Sequence, residues 1–277
     1  MPIKFGPAGL GSVKEATSKL EEYHRVGLRA CEIAFTYGVY IKEQKDAEAI
    51  GKKAKELGIS LSIHAPYWIN LNSIEKEKIE KSKERILSCL EVGTFLGAKR
   101  VVFHPGYYGN ERKPKVFSHT PSFELGVTPD RKKETYENIK KEILEIQKIR
   151  KLKKYTPLLA PETTGKINVF GSVEEIAKLS KETGCDFCID FAHILAREKD
   201  YRFKETLEIF KDKKELHIHF SGIVYGDKGE RHHKQTETKE WKQLISNLPK
   251  NKEITIINEA PNPIKDSVAG LRIYKSQ

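Results

Sequence analysis

A short apolar strand followed by a helix recurs along the whole chain, and this repeat is the feature that most constrains the fold. Each predicted strand is apolar along nearly its whole length, as expected of parallel strands that are covered on both faces. Eight strands are predicted, over residues 3–5, 30–35, 60–64, 100–104, 157–162, 185–190, 215–220 and 253–259. Between them apolar residues recur at helical spacing, most clearly over residues 241–248.

Glycines mark the ends of four helical stretches. Gly27, Gly58, Gly97 and Gly184 each follow a helical pattern and precede a predicted strand, where glycine commonly ends a helix in the left-handed conformation. Eight strand–helix units in 277 residues predict an α/β fold, a (β/α)8 TIM barrel in a single domain. A doubly wound open sheet is the alternative, and it is disfavoured because no G-x-G-x-x-G follows the first strand.

Composition narrows the cellular setting and the class of partner. The chain has no low-complexity linker, no secretory h-region at its start and no apolar run long enough to span a bilayer. We therefore expect a cytoplasmic monomer with no membrane partner. The 50 Lys and Arg against 39 Asp and Glu give a net charge of +11, which favours a polyanionic partner such as nucleic acid.

Two of the four cysteines, Cys185 and Cys188, form a C-x-x-C pair. Such a pair is typical of redox chemistry or of half a zinc site. Here it falls in a predicted strand, where residues three apart point to opposite faces. The pattern therefore favours two buried structural cysteines.

Histidines and carboxylates gather at the predicted strand ends. Active sites of TIM barrels lie at the C-terminal ends of the strands and in the loops that follow. Carboxylates crowded there repel each other, and metal cations relieve that repulsion. Imidazole together with carboxylate suits zinc, with manganese or iron as alternatives. The residues of this kind are His64, His104, Glu162, Asp190, His193, His217, His219, Glu230, His232, His233 and Glu259.

Strand order suggests how nine of these side chains share metal ions. Glu162 lies centrally in the strand order, so its two oxygens can bridge two ions. Three ions at four- to five-coordination need about nine or ten ligand atoms, which this set supplies. The expected ligands surround Glu162 in three groups: His64 and His104; Asp190, His217 and Glu259; His193, Glu230 and His232.

The motifs that carry these residues resemble those of the endonuclease IV family of apurinic/apyrimidinic (AP) endonucleases. The matching motifs are His64 with Tyr67, His104-Pro105-Gly106, Glu162-Thr163, Cys188-Ile189-Asp190 with His193, Leu216-His217, Arg231-His232-His233, and Glu259 with Asn262-Pro263. The resemblance runs from about the second strand to the end of the eighth. It implies a TIM barrel that binds up to three zinc ions through the nine residues above.

The resemblance also implies an activity. Members of this family hydrolyse the phosphodiester 5′ of an abasic site in double-stranded DNA, as a step of base excision repair. The products are a 3′-hydroxyl and a 5′-deoxyribose phosphate. Glu162 is then the catalytic residue, beside the two ions that it bridges.

Three departures from the family pattern are evident. Glu230 stands where the family usually has Asp, and His219 stands where the bacterial enzymes tend to carry Asn. The loop at about residues 107–133 is longer than usual and holds six Lys or Arg. It is either a DNA-contacting insertion or a solvated surface loop.

Aromatic residues near two strand ends are candidates for DNA recognition. Tyr67 and Trp68 follow the third strand, and Tyr40 follows the second. In the family, these loops insert side chains into the minor groove at the lesion, and aromatic wedges unstack base steps. The alternative for Trp68 is a buried anchor beneath its loop.

Two other classes of protein fit part of the pattern. A sugar isomerase or epimerase of the xylose isomerase-like barrel group would also use Glu162, Asp190, His217 and Glu259. It has little use for His64, His104, His193 or the segment around Glu230, and the +11 charge favours a polyanion over a neutral sugar. A non-catalytic DNA-binding barrel would not need the full set of ligands.

Overall fold

Strands and helices alternate along the chain in the computed structural model, which describes residues 3–109 and 127–277. The strands are β1 (Ile3–Pro7), β2 (Ala30–Ala34), β3 (Ser60–His64), β4 (Arg100–Phe103), β5 (Leu158–Pro161), β6 (Ile189–Asp190), β7 (Glu215–His219), β8 (Gly222–Gly226), β9 (Gly229–Lys234) and β10 (Glu253–Asn258). The helices are α1 (Ala16–Arg25), α2 (Gln44–Glu56), α3 (Lys76–Leu96), α4 (Pro129–Leu152), α5 (Val173–Thr183), α6 (Phe191–Glu198), α7 (Phe203–Ile209), α8 (Thr238–Asn247) and α9 (Pro263–Lys275).

Eight of these strands close into a ring. One run of parallel strands has the order β1-β10-β7-β6, and the other has the order β2-β3-β4-β5. Parallel bridges from Ala8 to Glu32 and from Glu162 to Cys188 join the two runs at both seams. The (β/α)8 TIM barrel in a single α/β domain is thus confirmed, and the open doubly wound sheet is excluded.

Six predicted strands differ from the observed ones by up to two residues at an end. A seventh strand, β6, differs more: it begins at Ile189 and not at residue 185, and only an isolated bridge at Cys188 precedes it. The antiparallel hairpin of β8 and β9 is not among the predicted strands; β9 has the polar sequence of a loop, and β8 has only three apolar residues between two glycines. This hairpin stands outside the ring and carries the segment around Glu230.

The glycine junctions and the cysteines were predicted correctly. Gly97 and Gly184 end α3 and α5 in the left-handed conformation, with φ of 64° and 70°. All four cysteines are buried and free of disulfides. The main core lies between the ring and the helices, where Trp241 packs against Phe5 and Phe220.

The interior of the ring is polar in its lower and upper parts. Ser62 on β3, Arg100 on β4 and His217 on β7 are all buried and are linked by hydrogen bonds through Glu32 on β2. A barrel interior is usually filled by branched apolar side chains. Charged and polar side chains therefore fill the ring interior just below the C-terminal ends of the strands.

None of the helices within residues 3–109 and 127–277 combines the length and apolar character needed to cross a membrane. The predicted insertion at about residues 107–133 falls largely outside the described residues, since 110–126 are not among them.

Candidate metal centre

Glu162 is the hub of a cluster at the C-terminal mouth of the barrel. It directly follows β5, and its side chain is fully buried. Its Oε2 atom lies 3.2 Å from Nε2 of His64 and 3.1 Å from Nε2 of His104. Its Oε1 atom lies 3.1 Å from Nδ1 of His219 and 3.4 Å from Nδ1 of His193. Each carboxylate oxygen therefore faces a different pair of imidazoles.

A second group lies on the β6–β7–β10 side of Glu162. Asp190, His219 and Glu259 bring ligand atoms within 4.8 Å of one another and of Glu162. Asp190 is also the N-cap of α6, because its Oδ1 accepts the backbone N–H of His193 at 2.8 Å. This bond fixes the carboxylate at the mouth of the barrel.

A third group joins the barrel to the β8–β9 hairpin. Nε2 of His193 lies 3.4 Å from Oε2 of Glu230, and His233 completes a set within 4.8 Å. Nε2 of His233 is also 3.7 Å from Oε2 of Glu259, which links the second and third groups. Gly165 makes the approach possible, because a Cβ at that position would lie 2.7 Å from Cβ of Glu230.

Electrostatics at the mouth show what the cluster requires. Burial alone would raise the pKa of Glu162, but the imidazoles of His219 and His104 outweigh it and hold that pKa well below its ordinary value. Burial lowers the pKa of His64, yet the Glu162 carboxylate more than compensates and raises it to about 9. For Asp190, burial dominates and raises the pKa. The carboxylates therefore need positive charge beside them.

The donor atoms of this cluster are suited to binding a metal ion. The Oδ2 atom of Asp190 is buried and accepts no hydrogen bond from any residue that the structure describes, although Nδ1 of His193 lies 3.3 Å away. A buried carboxylate oxygen without a hydrogen bond is costly in an apoprotein but natural in a ligand to a cation. Imidazole and carboxylate donors at these spacings suit zinc and related transition metals. The cluster can thus hold metal ions, each near a different side of Glu162.

Seven of the nine predicted ligands come together in these groups. They are His64, His104, Glu162, Asp190, His193, Glu230 and Glu259. Six of them lie at or just beyond the ends of ring strands, where the position along the chain is enough to predict their location, whereas Glu230 lies on β9 of the hairpin.

His217 is not brought to this mouth. It lies two residues before His219 on the same face of β7, one layer deeper, where it contacts Glu32 and Arg100 and shares a separate group of potential ligand atoms with Cys188 and His219. The residue that meets Glu162 and Glu259 is His219, which is not among the nine predicted ligands. Alternation along a strand predicts which side chains point into the barrel. It does not predict which of them is high enough to reach the C-terminal mouth.

His232 is also replaced by its neighbour. The hairpin contains a register shift between Val224 and Tyr225, so that Val224 pairs with His232 while Tyr225 pairs with Glu230. The shift places Glu230 and His233 on the barrel side, whereas His232 is exposed. A bulge of this kind cannot be located from the order of polar residues alone.

The predicted DNA-contacting aromatics divide into two sets. Tyr67 and Trp68 are exposed, at 57% and 62%, and the exposure of Trp68 does not fit a buried anchor. Tyr40 packs on the core instead, with its ring edge-on to Phe35 at 5.2 Å between centroids. The exposed aromatic in the loop after β2 is Tyr37, at 87%.

A cavity of about 280 Å³ opens directly above the cluster. Its lining includes His64, Tyr67, His104, Tyr107, Lys166, His193, Glu230, His233 and Glu259. A larger hollow of about 620 Å³ lies at the opposite end of β3, around Ser60 and Lys99, but the described residues that line it include no histidine or carboxylate. The chemistry therefore belongs to the smaller cavity.

Known proteins that resemble this chain include nucleases and sugar epimerases. Over 243 residues it is 37% identical to an uncharacterized protein of Methanocaldococcus jannaschii, covering 83% of this chain and 80% of that one. Over 204 residues it is 24% identical to a probable endonuclease 4 of Aquifex aeolicus, covering 69% of this chain and 65% of that enzyme.

Solved structures share the fold at low sequence identity. SacUVDE superposes with a TM-score of 0.72 at 14% identity, covering 100% of this chain and 98% of that one. Endonuclease IV from Thermus thermophilus gives 0.68 at 20%, with coverage of 100% and 98%. D-psicose 3-epimerase from Clostridium cellulolyticum gives 0.65 at 12%, with coverage of 100% and 99%.

The model of one protein family matches residues 20–277, which is nearly the whole chain. That match agrees with the ring of eight strands and with the position of the cluster at their C-terminal ends. The chain belongs to the xylose isomerase-like TIM barrel family.

Proposed function

We propose that this protein is a zinc-dependent AP endonuclease. It hydrolyses the phosphodiester 5′ of an abasic site in double-stranded DNA and leaves a 3′-hydroxyl and a 5′-deoxyribose phosphate. The proposal places the protein in base excision repair, with up to three zinc ions held by the three groups around Glu162.

The observation on which the proposal rests is the third group of possible ligands, His193, Glu230 and His233. An isomerase of this family needs only one or two ions, for which Glu162, Asp190, His219 and Glu259 are sufficient. His193, Glu230 and His233 form a further group, and His64 and His104 add another on the far side of Glu162. This surplus of ligands suits a reaction centre that carries several negative oxygens, such as a phosphodiester.

Each residue has a role in this reaction. His64, His104, Glu162, Asp190, His193, His219, Glu230, His233 and Glu259 would hold the ions. When bound, zinc makes hydroxide available near neutral pH and offsets the charge of the phosphate. Glu162 orients the attacking oxygen, because its two oxygens face both pairs of imidazoles. A new P–O bond forms as the bond to the 3′ oxygen breaks, and that oxygen leaves as a hydroxyl after taking up a proton.

DNA binding is supported by charge and by the exposed aromatics. The net charge of +11 favours a polyanion. Tyr67 borders the cavity and Trp68 lies beside it in sequence, both exposed in the loop after β3. An abasic nucleotide leaves the helix at low cost, since it has no base to unstack.

A duplex with one tetrahydrofuran abasic analogue tests the proposal. This analogue cannot undergo β-elimination, so a break at it must be hydrolytic. Zinc-loaded protein should cut 5′ of the analogue, and a polymerase should extend the new 3′ end. Treatment with a chelator should abolish cutting, and added zinc should restore it. The same duplex without the analogue is the control.

Two results would reject the proposal. One is intact abasic duplex after incubation with protein that carries two or three zinc equivalents. The other is cutting that survives complete removal of metal.

A sugar isomerase or epimerase is the second candidate. The observation that favours it is the four-residue group of Glu162, Asp190, His219 and Glu259, which is enough to hold one ion beneath a small cavity. Conversion of a ketohexose such as D-fructose by the metal-loaded protein, without cutting of abasic duplex, would support this function instead.

A further inference from the structure

A network of polar side chains, all buried except the half-buried Asp186, runs inside the ring below the metal centre. We call it the interior network, and its members are Asp186, Arg100, His217, Glu32 and His219. Nε of Arg100 donates to Oδ2 of Asp186 at 2.8 Å, and Nη1 of Arg100 lies 3.3 Å from Nδ1 of His217. Nε2 of His217 lies 3.0 Å from Oε2 of Glu32. The network ends where His219 meets the metal cluster.

The direction of these hydrogen bonds is set by Arg100. A guanidinium can only donate, so Nδ1 of His217 must accept and carries no proton. The proton of a neutral His217 then lies on Nε2, which donates to Glu32. His217 therefore has no lone pair left for a metal ion.

Glu32 is placed to accept a proton from His219 as well. Its Oε2 atom already accepts from His217 and from the hydroxyl of Ser62 at 2.7 Å. Its Oε1 atom lies 2.9 Å from Nε2 of His219. The N–H is not aligned for a hydrogen bond in this arrangement, yet both atoms are buried and have no other hydrogen-bond partner among the described residues. The carboxylate of Glu32 is therefore the nearest anionic acceptor for the Nε2 proton of His219, and the thiol of Cys188 lies in the same group of potential ligand atoms as His219.

The opposite nitrogen of His219 faces the metal centre. Its Nδ1 lies 3.1 Å from Oε1 of Glu162, within hydrogen-bonding geometry, and 3.5 Å from Oε1 of Glu259. A metal ion bound between these carboxylates would take the place of the Nδ1 proton, while the Nε2 proton would stay directed at Glu32. A carboxylate on the far nitrogen of a histidine ligand fixes its tautomer and raises its basicity.

We propose that Glu32 is a positioning residue that makes His219, and not His217, the metal ligand of β7. It does so by accepting hydrogen bonds from Nε2 of both imidazoles. The donor and acceptor roles in this network follow from the guanidinium of Arg100, which is paired with Asp186. This inference rests on the proposed metal binding by His219. It assigns a role to a residue on β2 that is not itself in any of the three groups.

Nitrogen-15 NMR of histidine-labelled protein tests the assignment directly. Long-range ¹H–¹⁵N spectra report which ring nitrogen carries a proton, and the signals are assigned with His217→Gln and His219→Gln variants. In metal-free wild-type protein, His217 should be neutral with its proton on Nε2. In zinc-loaded protein, His219 should bind through Nδ1 and keep its proton on Nε2. A protonated Nδ1 on His217, or zinc on Nε2 of His219, would overturn the proposal.

Zinc affinity of Glu32→Gln is the second measurement. The amide keeps the size of the side chain but replaces one acceptor by a donor, so one imidazole loses its partner. Zinc affinity measured by chelator competition should fall about 10- to 100-fold, as is common when the second partner of a ligand is lost. Glu32→Asp should recover part of that loss. Wild-type affinity in Glu32→Gln would count against the role.

Glu142→Gln is the matched control, because it removes a buried carboxylate that contacts Lys83 on the outer helices, away from the ring interior. It should leave zinc affinity unchanged. The two proposals fail differently. Wild-type protein that binds no zinc rejects the proposed function, whereas the His217 tautomer in metal-free protein tests the interior network on its own.

Discussion

Two layers of the barrel interior contain the same residue types but differ in function. The lower layer lies around His217 and Glu32, and the upper layer is the metal centre at the C-terminal ends of the strands. In the lower layer, both ring nitrogens of His217 and the Oε2 atom of Glu32 are paired with Arg100, Ser62 or each other, and Oε1 of Glu32 faces His219. In the upper layer, three carboxylates crowd around imidazoles, and Oδ2 of Asp190 has no hydrogen bond within residues 3–109 and 127–277. A buried histidine beside a carboxylate is thus a candidate ligand only where lone pairs remain unused. Four predictions sharpen this comparison.

The largest effect is expected from Glu162→Gln in the upper layer. The amide cannot face both pairs of imidazoles with negative oxygens, so turnover on abasic duplex should fall by about 100-fold or more, since metal-ion stabilisation contributes several kcal/mol and about 1.4 kcal/mol is tenfold. DNA affinity by gel shift should remain close to wild type. Near-normal cutting by Glu162→Gln would remove this residue from the centre, and Glu142→Gln serves as the control.

The two histidines of β7 compare the layers directly. His219→Gln should lose at least one zinc equivalent by elemental analysis, because it removes a ligand atom from the second group. His217→Gln should keep the zinc stoichiometry and lower the free energy of unfolding by about 1–3 kcal/mol, the usual cost of disturbing a buried hydrogen bond. The reverse pattern would restore His217 to the ligand set.

Glu230 tests whether the hairpin truly belongs to the upper layer. Glu230→Ala should cost one zinc equivalent, since it leaves only His193 and His233 in the third group. Glu230→Asp should retain metal and activity, because the shorter carboxylate still lies on the barrel side of the hairpin. Full zinc content in the alanine variant would exclude Glu230 as a ligand.

The smallest effect lies outside both layers, at Trp68. Because this side chain is 62% exposed, Trp68→Ala should leave the melting temperature nearly unchanged. Affinity for abasic duplex should weaken by about 1–3 kcal/mol, the contribution of one aromatic stack. A clear loss of thermal stability with normal affinity would indicate a structural anchor instead. Tyr40→Ala should do the opposite of Trp68→Ala, because Tyr40 packs on Phe35.

Sequence alone predicts the barrel and the part of the site that lies at strand ends. Apolar strands and glycine junctions are local signals, and parallel closure brings the strand ends His64 and Asp190 and the nearby His104 and Glu162 to one mouth. The choice between His217 and His219 is not local, because it depends on what Arg100 and Glu32 contribute from other strands. Likewise, His233 replaces His232 through a register shift that is set by pairing with β8. The exposure of Trp68 and the packing of Tyr40 depend on loop conformation, which the sequence does not encode in a readable pattern.

The docking of the hairpin has a mechanical consequence. Glu230 and His233 belong to β9, whereas His193 belongs to α6 at the end of the ring. Backbone contacts of Gly229 and Glu230 with Gly165 and Lys166 hold the hairpin to the loop after β5, and a Cβ on Gly229 would lie 2.0 Å from the carbonyl oxygen of Gly165. An ion shared by His193, Glu230 and His233 would act as a cross-link between an appended ribbon and a rigid scaffold. Loading of that ion and resistance of the ribbon to proteases would then rise and fall together.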